Sequence, residues 1–240
     1  YNQISAENED DKISSIACSS VVTENKESVY SADEVALFNQ MKQELNAVSE
    51  TNEEAYAWIY VPDTKVNYPI CQSGADDYFY LRHSGIDKSW VASGAIYTES
   101  CNTTTFEDRV TLVYGHNGYS DSMFTSLHKF EDSEFFNDNS HEYFYIYTKS
   151  GKCLKYQVIS AFKYDDRHIM NSFDFQNNTI FESFIEMIKN PSSANKNVRT
   201  DLDKEVTIDD SIAVLSTCIT NQKSNRYLVC GVLVENEKTN

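Results

Sequence analysis

The stretch that decides the fold is Glu142-Tyr-Phe-Tyr-Ile-Tyr-Thr148, Lys149-Ser150-Gly151-Lys152-Cys153, Leu154-Lys-Tyr-Gln-Val-Ile-Ser-Ala-Phe-Lys-Tyr164. Aromatic and β-branched side chains fit a half-buried pleated surface better than a helix. The two runs therefore read as strands, and Ser150-Gly151-Lys152 between them reads as a hairpin turn. Working outward, Val110–Tyr114 and Ile212–Thr217 are strands of the same kind, and Arg226–Glu235 is apolar almost throughout, which places it centrally. Three shorter β-rich runs precede them: Trp58-Ile-Tyr-Val61, Val66-Asn-Tyr-Pro-Ile70 and Gly94-Ala-Ile-Tyr97. Helical spacing occurs twice. Ser31-Ala-Asp-Glu34 is a capping box, and Val35, Phe38, Met41, Leu45 and Val48 follow it, predicting a helix over 32–49. The second helix lies between Asp174 and Ile212, with Thr179-x-x-Glu182 as its cap, Phe181, Phe184, Ile185 and Ile188 on its apolar face, and Pro191 as its stop. Eight strands with turns between them favour a closed barrel or a sandwich over a βαβ sheet.

Composition narrows the function. The 240 residues carry 20 basic and 37 acidic side chains, a net charge of −17, which disfavours nucleic acid as a partner. No apolar run approaches the roughly 18 residues needed to span a bilayer. Residues 1–60 hold twelve acids against Lys12, Lys26 and Lys42. Residues 1–30 have no apolar period and read as an acidic, solvated tether, with 31–240 as a single domain. The chain begins at Tyr1 and is read as a processed ectodomain. Six cysteines contain no CxxC pair, so a zinc ribbon or a thioredoxin-like site has no support; most are read as small buried hydrophobes. There is no internal repeat, no G-x-G-x-x-G and no P-loop, and the five scattered histidines have no metal-ligand spacing, so neither a cofactor nor a metal is expected.

Reactive side chains gather at strand ends. Thr111-Leu-Val-Tyr114-Gly115-His116 runs from a strand into a histidine, Ala213-Val-Leu-Ser216-Thr217-Cys218 ends in a cysteine, and Arg226 opens the next strand. If the last two strands pair, Cys218 and Arg226 face each other at one end of the sheet. Singly, each has a structural explanation, as do His83, His128, His141 and His168. Together, imidazole, thiol and guanidinium suit acyl transfer through a thioester. The thiolate attacks a carbonyl, the imidazolium protonates the leaving amine, and the Arg steadies the oxyanion or the substrate's carbonyls and favours the thiolate.

Tyr114-Gly-His116-Asn117, Leu215-Ser-Thr217-Cys218 and Arg226 together resemble the sortase family of Gram-positive cell-surface transpeptidases. Ala57-Trp58-Ile59, Asn67-Tyr68-Pro69-Ile70, Tyr80-Leu81, Gly94-Ala-Ile-Tyr97 and Ser122-Met-Phe124-x-x-Leu127 are similar to the family in the family's order, so the likeness runs from about residue 32 to 235. The N-terminal helix and the long helix before strand seven resemble class B, and the Asp-Pro-aromatic lid of class C is absent. The resemblance implies an eight-stranded β-barrel on an enzyme held at the outer face of the membrane by an N-terminal anchor that this chain lacks. It implies cleavage of a C-terminal sorting motif after Thr in surface proteins, and transfer to a cell-wall amine or, alternatively, to a pilin Lys. His116 becomes the acid/base, Cys218 the nucleophile and Arg226 the third member. Leu81, Ile169, Ser216 and Thr217 become contacts for the sorting peptide.

Three departures bear on the motif recognised. Ile219 stands where class B members often carry an acid, Asp77 where an Asn is common, and Arg167-His168-Ile169 where some have Tyr-Ile. Competing classes fit less well. The His-Gly-Cys cluster of L,D-transpeptidases is missing, and a papain-like enzyme places its Cys before its His. A catalytically inert surface protein that only binds sorting peptides is the non-enzyme alternative, separable by the reactivity of Cys218.

Overall fold

The computed structural model describes residues 29–118 and 120–238. The expected tether thus lies outside the described residues except for Val29 and Tyr30. Tyr30 is buried, and its hydroxyl donates to the Cys153 carbonyl at 2.6 Å, which ties that residue to the domain.

Among the described residues nine strands follow in order: β1 (Ala55–Tyr60), β2 (Asn67–Cys71), β3 (Ile96–Tyr97), β4 (Val110–Tyr114), β5 (Tyr143–Thr148), β6 (Lys152–Asp165), β7 (Lys196–Val198), β8 (Ile212–Ile219) and β9 (Gln222–Lys238). Eight of them run β5-β1-β2-β3-β4-β8-β9-β6 in space, and β6 pairs again with β5, closing a barrel. Neighbours are antiparallel except β2–β3 and β4–β8. The expected eight strands are the barrel strands, and the expected barrel or sandwich is resolved as a barrel. The unexpected β7 pairs with β6 over Ser160–Phe162; three residues are too few to show a period.

The β5–β6 hairpin shows how the sequence dictates the closure. Gly151 takes φ 87°, a backbone conformation that disfavours other residues, and Thr148 Oγ1 accepts from Lys152 N at 3.0 Å. Side chains then alternate. Phe144, Ile146, Leu154 and Tyr156 fill the barrel interior, while Tyr145, Tyr147 and Cys153 face outward onto the first helix. That helix, α1 (Ala32–Ser49), has both halves of its capping box and buries Phe38, Met41, Leu45 and Val48. Val35, expected on the same stripe, is 37% exposed.

Over 212–215 and 227–232, β8 and β9 have no polar face because both of their faces are covered there. Ala213, Leu215, Tyr227 and Val229 point into the barrel. Ile212, Val214, Leu228, Cys230 and Val232 pack against Phe181, Phe184, Ile185 and Ile188, which lie on the long helix between β6 and β7. That helix spans Asn178–Lys189 and ends two residues before Pro191, but its cap differs from expectation. Asn177 rather than Thr179 accepts the first orphan N–H groups, from Thr179 N and Ile180 N, because the helix begins two residues earlier than the capping-box motif implies. Two shorter α-helices, Ser133–Asn137 and Ile169–Ser172, and a 3₁₀ segment, Thr125–Glu131, went unread in the sequence. Among the described residues the α-helices in chain order are α1, α2 (Ser133–Asn137), α3 (Ile169–Ser172) and α4 (Asn178–Lys189).

Candidate active site

Strand register brings the candidate residues together. β4 and β8 pair in parallel with Tyr114 opposite Ser216, and Gly115 N donates to Ser216 O at 3.1 Å, which carries the pairing one residue further. His116 and Cys218 therefore leave the barrel at the same end. Across the next pair, Cys218 stands opposite Arg226 in the β8–β9 register, as the sequence predicts if these strands pair. A cavity of about 240 Å³ opens there, lined by His116, Cys218 and Arg226 and also by Leu81, Ile169, Ser216 and Thr217.

His116 Nε2 lies 2.9 Å from the Leu81 carbonyl. A carbonyl only accepts, so Nε2 carries the hydrogen and Nδ1 is the nitrogen with a lone pair in the neutral ring. Arg226 Nη1 donates to the Lys223 and Asn225 carbonyls of the β8–β9 hairpin, both at 3.0 Å, which fixes one edge of the guanidinium and leaves Nε and Nη2 as further donors. Cys218 is exposed and is a free thiol, as are Cys101, Cys153 and Cys230. Burial pushes the Cys230 thiol well above its usual range and the Cys153 thiol up to about 12, so both are inert at neutral pH, as expected of cysteines that act as small hydrophobes. Thr217 is 2% exposed, and its Oγ1 has no hydrogen-bond partner among the described residues.

Glu99, not singled out in the sequence, joins the site, and His168, read there as a structural histidine, lies in its wall. Glu99 is buried at the cavity wall and holds His168 Nε2 at 2.6 Å from the opposite wall. His168 also caps α3, its Nδ1 accepting from Asn171 N, and it is followed directly by the buried Ile169. Tyr97 and Tyr114 stack at 5.3 Å beside them; burial first, and Glu99 second, push both phenols far up. Glu99 follows Tyr97 at the strand period of two, which is the signal that would have found it. Of the remaining histidines, His83 stacks on Phe79 at 3.9 Å and His141 on Phe135 at 3.6 Å, both in structural roles.

The departures from the class B pattern have local causes. Ile219 packs against the barrel interior, where a carboxylate would be desolvated. Asp77 accepts from Ser100 N at 2.6 Å and Ser100 Oγ at 3.0 Å, anchoring the segment after β3. Arg167 pairs with its neighbour Asp165 on the exposed cavity rim.

A sortase-domain family profile matches residues 59–234, nearly three-quarters of the chain. The chain belongs to the sortase family. Sortase B of Listeria monocytogenes is 28% identical over 217 residues, 89% of this chain and 84% of that protein. Bacillus anthracis sortase B is 32% identical, with a TM-score of 0.67 over 80% of this chain and 85% of that one. A Streptococcus pyogenes class B sortase involved in pilus biogenesis is 28% identical, with a TM-score of 0.66 over 79% and 97%. These likenesses make this a class B sortase, an enzyme of the cell-surface cysteine transpeptidase kind. Among the described residues, no helix of this sortase is long and apolar enough to cross a membrane.

Proposed function

We propose that this sortase cleaves a C-terminal sorting motif after Thr through a thioacyl-enzyme on Cys218, then transfers the surface protein to a cell-wall amine. The observation that carries the reading is the convergence of His116, Cys218 and Arg226 on one cavity at the open ends of β4, β8 and β9. The Cys218 sulfur adds to the Thr carbonyl carbon, and the free donors of Arg226 face the negative charge that develops on oxygen. His116 gives a proton to the leaving amine, and the C–N bond breaks to leave a thioester. An acceptor amine then attacks the thioester carbon, loses a proton to His116, and releases Cys218 as the new amide forms. Leu81, Ile169, Ser216 and Thr217 hold the sorting peptide, with the unpartnered Thr217 hydroxyl available to one of its backbone groups.

A pilin Lys as acceptor is a second reading, favoured by the likeness to the S. pyogenes sortase involved in pilus biogenesis. We place the enzyme at the outer face of the membrane, held by an N-terminal anchor outside these 240 residues. Mass spectrometry of a sorting-peptide panel tests the proposal, using wild type and Cys218→Ala with a stem-peptide amine or a Lys-bearing pilin domain. Cleavage after Thr and amide formation by wild type alone are expected, and the better acceptor separates the two readings. An inert Cys218 with no cleavage would instead identify a peptide-binding protein.

A further inference from the structure

The carbonyl of Cys218 lies where the β8–β9 ladder breaks, because the register shifts between Cys218 and Ile219. Two side chains hold that oxygen: Asn117 Nδ2 at 3.0 Å and His128 Nε2 at 3.0 Å. Asn117 also donates to Thr220 Oγ1 at 3.1 Å, which ties it to the residues after the cysteine. His128 sits on the 3₁₀ segment with its ring stacked on Tyr227, centroids 5.0 Å apart, and its Nδ1 lies 2.5 Å from Glu131 Oε1.

Hydrogen accounting assigns the ring's state. A carboxylate and a carbonyl only accept, so both ring nitrogens donate, which imidazolium alone does. A neutral ring donating to Glu131 would turn the Nε2 lone pair toward the Cys218 carbonyl at 3.0 Å. Its sole compensation would be Asn117 Nδ2 at 3.3 Å, whose two hydrogens already serve Cys218 O and Thr220 Oγ1. The charged form satisfies both contacts to oxygen, with Asn117 Nδ2 as a second donor to the same carbonyl. The titratable groups facing the ring are Glu131 on its own segment, Tyr227 on β9 and Cys218 at the end of β8. Burial pushes the Tyr227 phenol far up, so it stays neutral and Glu131 is the counter-charge.

We propose that His128, as imidazolium, is a positioning residue for the Cys218 nucleophile, an inference that rests on the transpeptidase reading above. With Asn117 it clamps the peptide linking Cys218 to Ile219 at the point where the sheet stops doing so. Without the His128 ring, Asn117 is the one side-chain donor left to that carbonyl.

The test uses the whole chain with His128→Phe, which keeps a ring on Tyr227 but neither donor, and His128→Gln, which restores a neutral N–H donor. Peptide cleavage, alkylation of Cys218 by iodoacetamide and thermal melting are measured together. His128→Phe is expected to lower kcat about tenfold, the effect of one positioning hydrogen bond, with KM within about twofold. His128→Gln is expected to recover most of that loss. Wild-type kcat in His128→Phe, or equal losses in both variants, overturns the proposal. If wild type cuts no sorting peptide, the transpeptidase reading falls, while the alkylation rates of the three proteins still decide the clamp. Should His128→Phe not fold, Glu131→Gln replaces it. It removes the carboxylate that orients the ring and is expected to slow alkylation several-fold relative to wild type. An alkylation rate equal to wild type overturns the positioning role.

Discussion

Gly115→Ala is the sharpest test of how the barrel aims its histidine. Gly115 joins the end of β4 to His116, and a Cβ there would lie 2.5 Å from Phe124 Cγ and 2.6 Å from Ile96 Cδ1. Carbon atoms in ordinary contact sit about 3.5 Å apart, so roughly 1 Å of movement is needed. Neither neighbour yields easily, since Phe124 is 0% and Ile96 1% exposed in the packed interior. Overpacking of this kind costs about 1–3 kcal/mol. At roughly 2–4 °C per kcal/mol for a domain of this size, Tm should fall by about 2–12 °C. Activity should suffer more. Phe124 N donates to His116 O at 3.0 Å, so displacing Phe124 also pulls on the histidine backbone. A misplacement near 1 Å lowers kcat/KM on the order of 100-fold. Circular-dichroism melting and peptide-cleavage kinetics measure the two effects. In a Phe124→Leu background, where the clashing ring is gone, Gly115→Ala should cost less, a coupling that a double-mutant cycle resolves. A Gly115→Ala enzyme within twofold of wild type in kcat/KM, with unchanged Tm, would refute the argument.

Four further outcomes are expected. Arg226→Lys keeps the charge but loses the planar fork that grips the hairpin carbonyls, so kcat should drop roughly 10- to 100-fold with Tm nearly unchanged, measured by single-turnover cleavage. Glu99→Gln weakens the cross-cavity bond that seats His168 and the adjacent Ile169, so KM for the sorting peptide should rise several-fold more than kcat falls; an unchanged KM counts against that seat. Phe184→Ala empties a fully buried site between α4 and the barrel and should cost about 3–5 kcal/mol by urea unfolding. Burial raises the Glu34 carboxyl, but hydrogen bonds from Lys155 and Ser31 outweigh it and hold the group below its ordinary 4.5. A depressed folded value stabilises the protein above the unfolded one, so this contribution is present above about pH 4.5 and lost as pH falls through the folded value. Glu34→Gln should therefore flatten the acid side of the stability–pH curve; an unchanged acid limb would show that the Lys155 bond carries no such linkage.

Strong local signals were legible in the chain itself. The β5–β6 hairpin, the boundaries of α1, the apolar face of α4 and the three strand-end residues His116, Cys218 and Arg226 all follow from period, turn chemistry and residue type over short spans. These features depend on neighbours a few residues apart, where backbone geometry is set by local sterics and hydrogen bonding. Even there, the expected cap at α4 is off by two residues, since Asn177 and not Thr179 accepts the first N–H groups.

What the sequence determined alone was therefore the eight barrel strands, α1 and α4, and the common position of His116, Cys218 and Arg226 at strand ends. Only the tertiary structure decided which groups meet. The β4–β8 register sets His116 beside Cys218 across 102 positions of chain, and Glu99 reaches His168 over a separation of 69. His128 reaches the Cys218 carbonyl over a separation of 90. No periodicity encodes such distances, because they arise when a closed barrel forces every strand to share one register and brings remote loops to a single rim. The packing that makes Ile219 apolar and Gly115 necessary is likewise a property of side chains that become neighbours only after the barrel closes.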